Sequence, residues 1–158
     1  MKKKSLYIFR KIEKSFSKNK LLQKVEMTLQ ESKCIFLSGK NGSGKSTLLK
    51  ILAGLEKPDN AEIEFAGKSY KWGNIFRSIR KDIIYLHQHP FLFSGSVESN
   101  ISYGLSFKFL STSERKKALN EALEWSGLSD LAKKQARTMS GGIQQRIAFT
   151  RAWILKPK

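Results

Sequence analysis

The sequence is poor in cysteine and in long apolar runs, and each deficit excludes a class of protein. Cys34 is the only cysteine, so no disulfide can form within the chain. No apolar stretch approaches the roughly 20 residues that a membrane-spanning helix needs. The first apolar run, residues 6–9, ends at Arg10 and is shorter than the roughly 7–15 residues of a signal-peptide core. These absences predict a globular protein that stays in the cytoplasm.

Acidic residues are also few, with 13 Asp and Glu against 30 Lys and Arg and a net charge of +17. Residues 2–24 and 131–158 carry most of this excess. Such a charge can indicate a nucleic acid or an anionic membrane surface as partner. However, no aromatic residues alternate with the lysines, and no nucleic-acid motif is present. We therefore predict no nucleic-acid partner and interpret most of the lysines as a solvated face.

The remaining composition suits one domain, since 158 residues with 40% hydrophobic content can bury a core. Apolar alternation or short apolar runs predict strands at residues 6–9, 25–29, 34–37, 61–65 and 83–86. Helical spacing and end signals predict helices at 48–53, from a capping box at 111–114 to Gly127, at 130–134, and from Ser140 onward. Residues 90–103 are aromatic and predicted to be irregular. Cys34 is expected to be buried in its strand.

A glycine-rich segment between the predicted strand 34–37 and the predicted helix 48–53 carries the most informative motif. From Gly39 to Ser46 it fits the phosphate-binding pattern G-x-x-x-x-G-K-[ST]. Glycines let backbone N–H groups approach anionic oxygens, and the helix that follows points its positive dipole end at them. Lys45 suits the β- and γ-phosphates, and the Ser46 hydroxyl suits Mg²⁺. The candidate nucleotide-binding residues here are Gly39, Asn41, Gly42, Ser43, Gly44, Lys45, Ser46 and Thr47.

Two further motifs narrow the class of nucleotide-binding protein. Gln88 follows the predicted strand 83–86, and Ser140-Gly141-Gly142 begins a predicted helix that continues with Gln144-Gln145-Arg146. Together with the phosphate loop, these motifs make essentially the whole chain resemble the nucleotide-binding subunit of an ATP-binding cassette (ABC) transporter. The resemblance implies an α/β P-loop NTPase fold with an incomplete RecA-like core, an antiparallel β subdomain and a helical subdomain. It implies one partial ABC ATPase domain over 1–158: a catalytic core with the β subdomain at 1–89, a helical subdomain at 90–138, and the signature motif with its helix at 139–158.

The same resemblance implies a role for each candidate residue, with ATP and Mg²⁺ as cofactors. Lys45 and Gln88 would be catalytic, and Gln88 would join Ser46 at the Mg²⁺. Ser140, Gly141 and Gly142 would contact the γ-phosphate of an ATP bound to a second subunit. Phe16 would stack on the adenine ring, as an aromatic residue does at this place in the family. From the residues alone, a core position for Phe16 is equally open.

The implied function is an ATP-binding subunit that couples ATP binding and hydrolysis to solute transport at the inner face of the cell membrane. The implied partners are a second nucleotide-binding subunit in a head-to-tail pair, a transmembrane permease and a solute-binding protein. The phrases at residues 86–90 and 100–105 are most similar to importers of oxyanions such as tungstate, molybdate and phosphate.

The sequence departs from the family at two places. Ile143 stands where the signature usually has glutamine, and the apolar strand ending in Asp-Glu that the family carries after Pro157 does not follow. We therefore expect a C-terminally truncated ATPase that does not hydrolyse ATP efficiently by itself. A non-hydrolysing nucleotide-binding or regulatory remnant is the alternative. A small-molecule kinase is disfavoured, because it has no use for Gln88 or Ser140–Gly142. No metal site is predicted at His87 and His89.

Overall fold

A computed structural model of the chain describes residues 5–157, apart from the side chains of Ser5 and Phe107. These residues divide into two compact units, 5–85 and 86–157. Each unit has its own cluster of buried apolar side chains.

The first unit contains a four-stranded antiparallel sheet with the strand order β2-β1-β3-β4. β1 and β2 form a hairpin in which Phe16 is paired with Asn19 across a two-residue turn. The predicted strands at 6–9, 25–29 and 61–65 are confirmed, whereas the short fourth strand was not predicted. The strands are β1 (Ser5–Phe16), β2 (Asn19–Gln30), β3 (Asn60–Phe65) and β4 (Lys68–Lys71).

Two helices complete this unit. α1 (Lys45–Leu52) follows the phosphate loop as predicted, and Gly54, with φ of 73°, lies just beyond its end. α2 (Trp72–Asp82) was not predicted, although Ile75 and Ile79 lie one helical turn apart and both are buried. That spacing was the signal available in the sequence. The core of this unit includes Tyr7, Phe9, Ile12, Ile51, Ile63 and Ile79.

Two predicted strands are wrong. Residues 34–37 and 83–86 have no regular secondary structure, and Cys34, predicted to be buried, is exposed. Phe36 is 90% exposed. A strand exists only where a neighbouring strand accepts and donates its backbone hydrogen bonds. Within residues 5–157 the only sheet is the four-stranded one, and neither segment belongs to it.

The second unit is helical. Its α-helices are α3 (Val97–Ser102), α4 (Thr112–Ser126) and α5 (Gly141–Trp153), and its 3₁₀ segments are Tyr103–Phe107, Ser129–Leu131 and Ala136–Thr138. The capping box is confirmed, since Ser111 Oγ accepts from Glu114 N at 3.3 Å and Glu114 Oε2 accepts from Ser111 N at 2.7 Å. Gly127 ends α4 in the left-handed region, as predicted.

Two predictions for this unit need correction. Only a 3₁₀ segment, Ser129–Leu131, lies where a helix over 130–134 was predicted, and residues 90–103 include helix α3. Ser96 initiates α3 by accepting from Ser99 N, a local cap that the aromatic composition obscured. No helix within residues 5–157 combines the length and the apolar character that a transmembrane span requires.

Candidate functional site

The phosphate loop has a backbone that only glycine adopts easily. Gly39, Gly42 and Gly44 have φ angles of 149°, 80° and 89°. A Cβ on Gly44 would lie 3.0 Å from Leu21 Cγ and from Leu22 Cδ2, whereas one on Gly42 would meet nothing within 4 Å. Glycine is therefore needed at position 44 for two reasons: the backbone is left-handed there, and side chains of β2 lie too close to leave room for a Cβ. The motif glycines are needed for the shape of the loop.

Lys45 and the start of α1 form an anion-binding arrangement. Lys45 Nζ donates to Gly39 O at 2.8 Å and to Lys40 O at 2.7 Å, so its ammonium group lies against the loop. The first helical bond runs from Leu48 N to Gly44 O, no side chain caps the helix, and no acidic residue lies in its first turn. The earlier N–H groups of the helix have no intrahelical acceptor. The backbone N–H donors, the positive end of the helix dipole and the ammonium group are thus all found at the start of α1, an arrangement that favours binding of a polyphosphate.

The residues present fit magnesium only together with a phosphate. Ser46 is exposed in the first turn of α1. Among the described residues, no group of three His, Cys, Asp or Glu side chains could hold a metal ion. Mg²⁺ is commonly bound through a few protein oxygens plus substrate phosphates and water. A hydroxyl beside a polyphosphate loop fits that pattern.

Phe16 lies at the end of β1 and is 51% exposed, which excludes the core position that the sequence left open. The Lys14 ammonium group lies 5.0 Å from the centroid of its ring. An exposed aromatic ring can stack on a base through its face. Phe16 is therefore available for the role that the family resemblance implies.

Gln88 and Gly142 are brought together in the second unit. Both line a cavity of about 500 Å³, although they are distant in sequence. Gln88 is exposed. The cavity is lined by Leu86, His87, Gln88, Pro90, Gly142, Gln145, Arg146, Ala148 and Phe149.

The signature segment begins α5 with exposed groups. Ser140 is the N-cap residue, but its side chain makes no capping hydrogen bond, and no acidic residue lies in the first turn. Gly141 and Gly142 are exposed, and nothing lies within 4 Å of a Cβ built on either. The start of α5 is thus an open set of backbone donors without negative charge nearby on its own helix.

Two neighbours of this segment explain local sequence choices that the motif alone did not. Ile143 packs against the buried cluster of the second unit, so an apolar side chain is suited to its place. Gln144 Nε2 donates to Met139 O at 2.8 Å and to Arg137 O at 3.1 Å, which fixes the turn before Ser140. Sequence reasoning missed this role of Gln144, because a side chain that bonds backbone earlier in the chain leaves no periodic signal.

Comparison with known proteins identifies the family. The sequence profile of the ABC transporter family matches residues 22–158. The Fe(3+) ions import ATP-binding protein FbpC of Escherichia coli O157:H7 is 36% identical over 160 residues, which cover 100% of this chain and 45% of that relative. The tungstate uptake system ATP-binding protein TupC of Peptoclostridium acidaminophilum is 30% identical over 147 residues, which cover 93% of this chain and 66% of that relative.

Solved structures agree with the profile. CbiO1 from Clostridium perfringens, part of the ABC transporter complex CbiONQ, superposes with a TM-score of 0.85 at 26% identity, covering 98% of this chain and 63% of that chain. An ATP-binding subunit of an ABC transporter superposes with a TM-score of 0.81 at 23% identity, which supports the fold. The chain spans about half the length of the iron-import relatives that it matches. The chain belongs to the ABC transporter family, as part of an ATP-binding domain with the P-loop NTPase fold of ABC ATPases.

Proposed function

We propose that the chain binds ATP with magnesium and supplies the nucleotide-binding part of an ABC importer. The observation that carries this proposal is the phosphate loop, where three glycines have positive φ and the Lys45 ammonium group lies against the loop backbone at the uncapped start of α1. That arrangement concentrates positive potential and backbone donors at one point. The family to which the chain belongs supports ATP as the ligand.

The residue roles follow the chemistry of each place. Lys45 binds the β- and γ-phosphates, Ser46 ligates Mg²⁺, and Phe16 stacks on adenine. Gln88 binds Mg²⁺ and orients the attacking water. The start of α5 at Ser140, Gly141 and Gly142 receives the γ-phosphate bound to a second copy, in a head-to-tail pair. The other loop residues, Gly39, Asn41, Gly42, Ser43, Gly44 and Thr47, contribute backbone donors and shape.

The transport role rests on the relatives. Two of them are named as import proteins for Fe(3+) ions and for tungstate, which favours import over export. We propose a transmembrane permease and a solute-binding protein as further partners, with this subunit peripheral on the inner face of the cell membrane. Residues 1–89 would form the catalytic core with the β subdomain, residues 90–138 the helical subdomain, and residues 139–158 the signature motif with its helix.

A second candidate is nucleotide binding without hydrolysis. Two glutamates of the second unit are already engaged in structural contacts. Glu98 accepts from Lys133 Nζ at 2.7 Å, and Glu114 belongs to the capping box of α4. Hydrolysis of ATP requires a positioned group that orients water. Turnover measurements on the assembled importer, and not on the chain alone, separate the two candidates, because both predict ATP binding and only the first predicts phosphate release by the assembly.

Calorimetry of ATP binding with and without Mg²⁺ tests the proposal. Replacing Lys45 by Ala removes a charge-assisted contact and should weaken ATP binding about 10-fold or more. Lys50→Ala is the matched control, because Lys50 lies in the last turn of the same helix. A folded wild-type chain that takes up no ATP with magnesium would overturn the proposal. Equal losses in both variants would overturn the role of Lys45.

A further inference from the structure

Three successive residues after Gln88 are held by side chains from three separate helical segments. Arg151 Nη2, from α5, donates to Phe91 O at 2.8 Å. Arg137 Nε, from the 3₁₀ segment Ala136–Thr138, donates to Leu92 O at 2.9 Å. Asn100, from α3, donates to Phe93 O at 3.1 Å and accepts from Phe93 N at 2.8 Å. We call these three side chains the carbonyl clamp.

The two arginines also hold the rings of the segment that they bind. The Arg137 guanidinium carbon lies 5.6 Å from the centroid of the Phe91 ring, and that of Arg151 lies 5.4 Å from the Phe93 ring. The two rings meet edge to face at 5.5 Å. Each arginine therefore contacts the carbonyl of one residue and the ring of another residue in this segment. A planar guanidinium can donate in its plane while its face lies against an aromatic ring.

Forming the clamp removes polar groups of Asn100 and Arg151 from water, which is unfavourable. Asn100 is 1% exposed, and its amide also donates to Ser96 O at 3.0 Å. Arg151 Nη1 is buried without a hydrogen-bond partner among the described residues, and burial lowers the pKa of Arg151. A partly buried guanidinium that keeps one buried N–H group without a hydrogen bond is unfavourable. Simple stabilisation of the fold therefore does not account well for Arg151.

We propose that Arg137, Arg151 and Asn100 are positioning residues for Gln88. By holding residues 91–93, they fix the chain three to five residues after Gln88 to the helices of its own unit. Gln88 then moves with those helices and presents its amide in one place. This inference rests on the proposed function of Gln88, and none of the three side chains is assigned a contact with nucleotide.

Hydrogen exchange tests whether the clamp exists. The Phe93 amide is the reporter, because it bonds Asn100 and neither arginine. Arg137→Lys and Arg151→Lys should each speed its exchange about 10-fold, since each loses part of a charged hydrogen bond and its ring stacking. Arg115→Lys is the matched control, because Arg115 is also an arginine that donates to backbone carbonyls, here Leu110 O at 3.2 Å and Lys108 O at 3.3 Å.

The amides of Ala122 and Leu123 in α4 report whether each variant keeps its fold. Unchanged exchange at these amides with faster exchange at Phe93 supports the clamp. Unchanged exchange at Phe93 in both arginine variants overturns it, and so does an equal effect of Arg115→Lys.

Magnesium dependence tests the positioning role separately. The quantity to measure is the ATP affinity with Mg²⁺ divided by the ATP affinity without Mg²⁺. In Arg151→Lys this ratio should fall toward the value found in Gln88→Ala, while the ATP affinity without Mg²⁺ should stay unchanged. In the Gln88→Ala background, Arg151→Lys should change this ratio no further. Additive effects would overturn positioning. If the ratio is unchanged in Gln88→Ala, the proposed role of Gln88 is refuted, and the positioning role with it. The hydrogen-exchange result would still decide whether the clamp exists.

Discussion

At the scale of single residues, the two inner glycines of the phosphate loop allow the stability cost of backbone strain to be measured apart from the cost of steric crowding. Gly42 and Gly44 have similar φ angles, but only Gly44 has side chains within van der Waals range of a Cβ. Gly42→Ala should cost about 1 kcal/mol of unfolding free energy for the left-handed backbone. Gly44→Ala should cost more, because Leu21 and Leu22 must also move. Chemical denaturation of the two variants measures the difference, and equal losses would contradict the packing role of Gly44.

The exposed ring of Phe16 leads to a prediction about base recognition. Phe16→Ala should weaken ATP binding by about 1–3 kcal/mol, the usual value of stacking between a base and an aromatic side chain. Binding of tripolyphosphate should not change in Phe16→Ala. Phe16→Tyr should keep the ATP affinity of the wild-type chain, because tyrosine retains the aromatic ring. Phe109→Ala is the control, because Phe109 is also an exposed phenylalanine but lies in the other unit. Equal weakening of ATP and tripolyphosphate would show that Phe16 acts on the loop and not on the base.

At the scale of elements, the capping box of α4 was predicted from four residues, because its hydrogen bonds are local. Hydrogen bonds from the Ser111 hydroxyl and backbone N–H hold the pKa of Glu114 below its ordinary value. A lowered pKa in the folded state means that the stabilisation is present above the ordinary glutamate pKa of about 4.3 and is lost as pH falls through the lowered value. The start of α4 should therefore fray in acid.

Hydrogen exchange in the first turn of α4 at different pH values checks this expectation. Glu114→Gln should speed hydrogen exchange in that turn at neutral pH and should remove the dependence of this exchange on acid pH. Ser111→Ala should cost about 1 kcal/mol of stability. Glu121→Gln, an exposed change further along the same helix, serves as the control. An acid dependence that persists in Glu114→Gln would assign the effect to another group.

Other elements show where local sequence was insufficient. Helix α2 was missed although its buried isoleucines are one turn apart. The strands predicted at 34–37 and 83–86 are absent, because an apolar run specifies burial and not the partner that would bury it. Ser96, by contrast, begins α3 through a local cap that could have been identified from its neighbours.

At the scale of the whole molecule, a buried hydrogen bond joins the first strand of the sheet to the end of α2. Tyr7 is fully buried, stacks on Phe65 at 4.7 Å, and donates to Asp82 Oδ2 at 2.9 Å. Burial, then the hydrogen bond and charge of Asp82, raise the pKa of Tyr7. The folded state therefore favours the neutral phenol, so this stabilisation is complete below about pH 10 and declines as pH rises further.

Tyr7→Phe should lower the unfolding free energy by about 1–3 kcal/mol at neutral pH, because a buried bond to a carboxylate is lost. It should also weaken the loss of stability at alkaline pH. Tyr70→Phe is the control, since the Tyr70 hydroxyl makes no hydrogen bond within residues 5–157. Denaturation curves at pH 7 and pH 10.5 provide the measurement. An alkaline loss of the same size in Tyr7→Phe would show that another group titrates.

The sequence by itself determined the features that depend on neighbours along the chain. The phosphate loop and the caps of α4 each rest on backbone angles and hydrogen bonds within a few residues, so residue types at fixed spacings specify them. Only the tertiary structure decided the exposure of Cys34, the meeting of Gln88 and Gly142 in one cavity, and the carbonyl clamp. Arg151 and Phe91 are 60 positions apart, and contacts of that range depend on how helices pack, which no local pattern encodes.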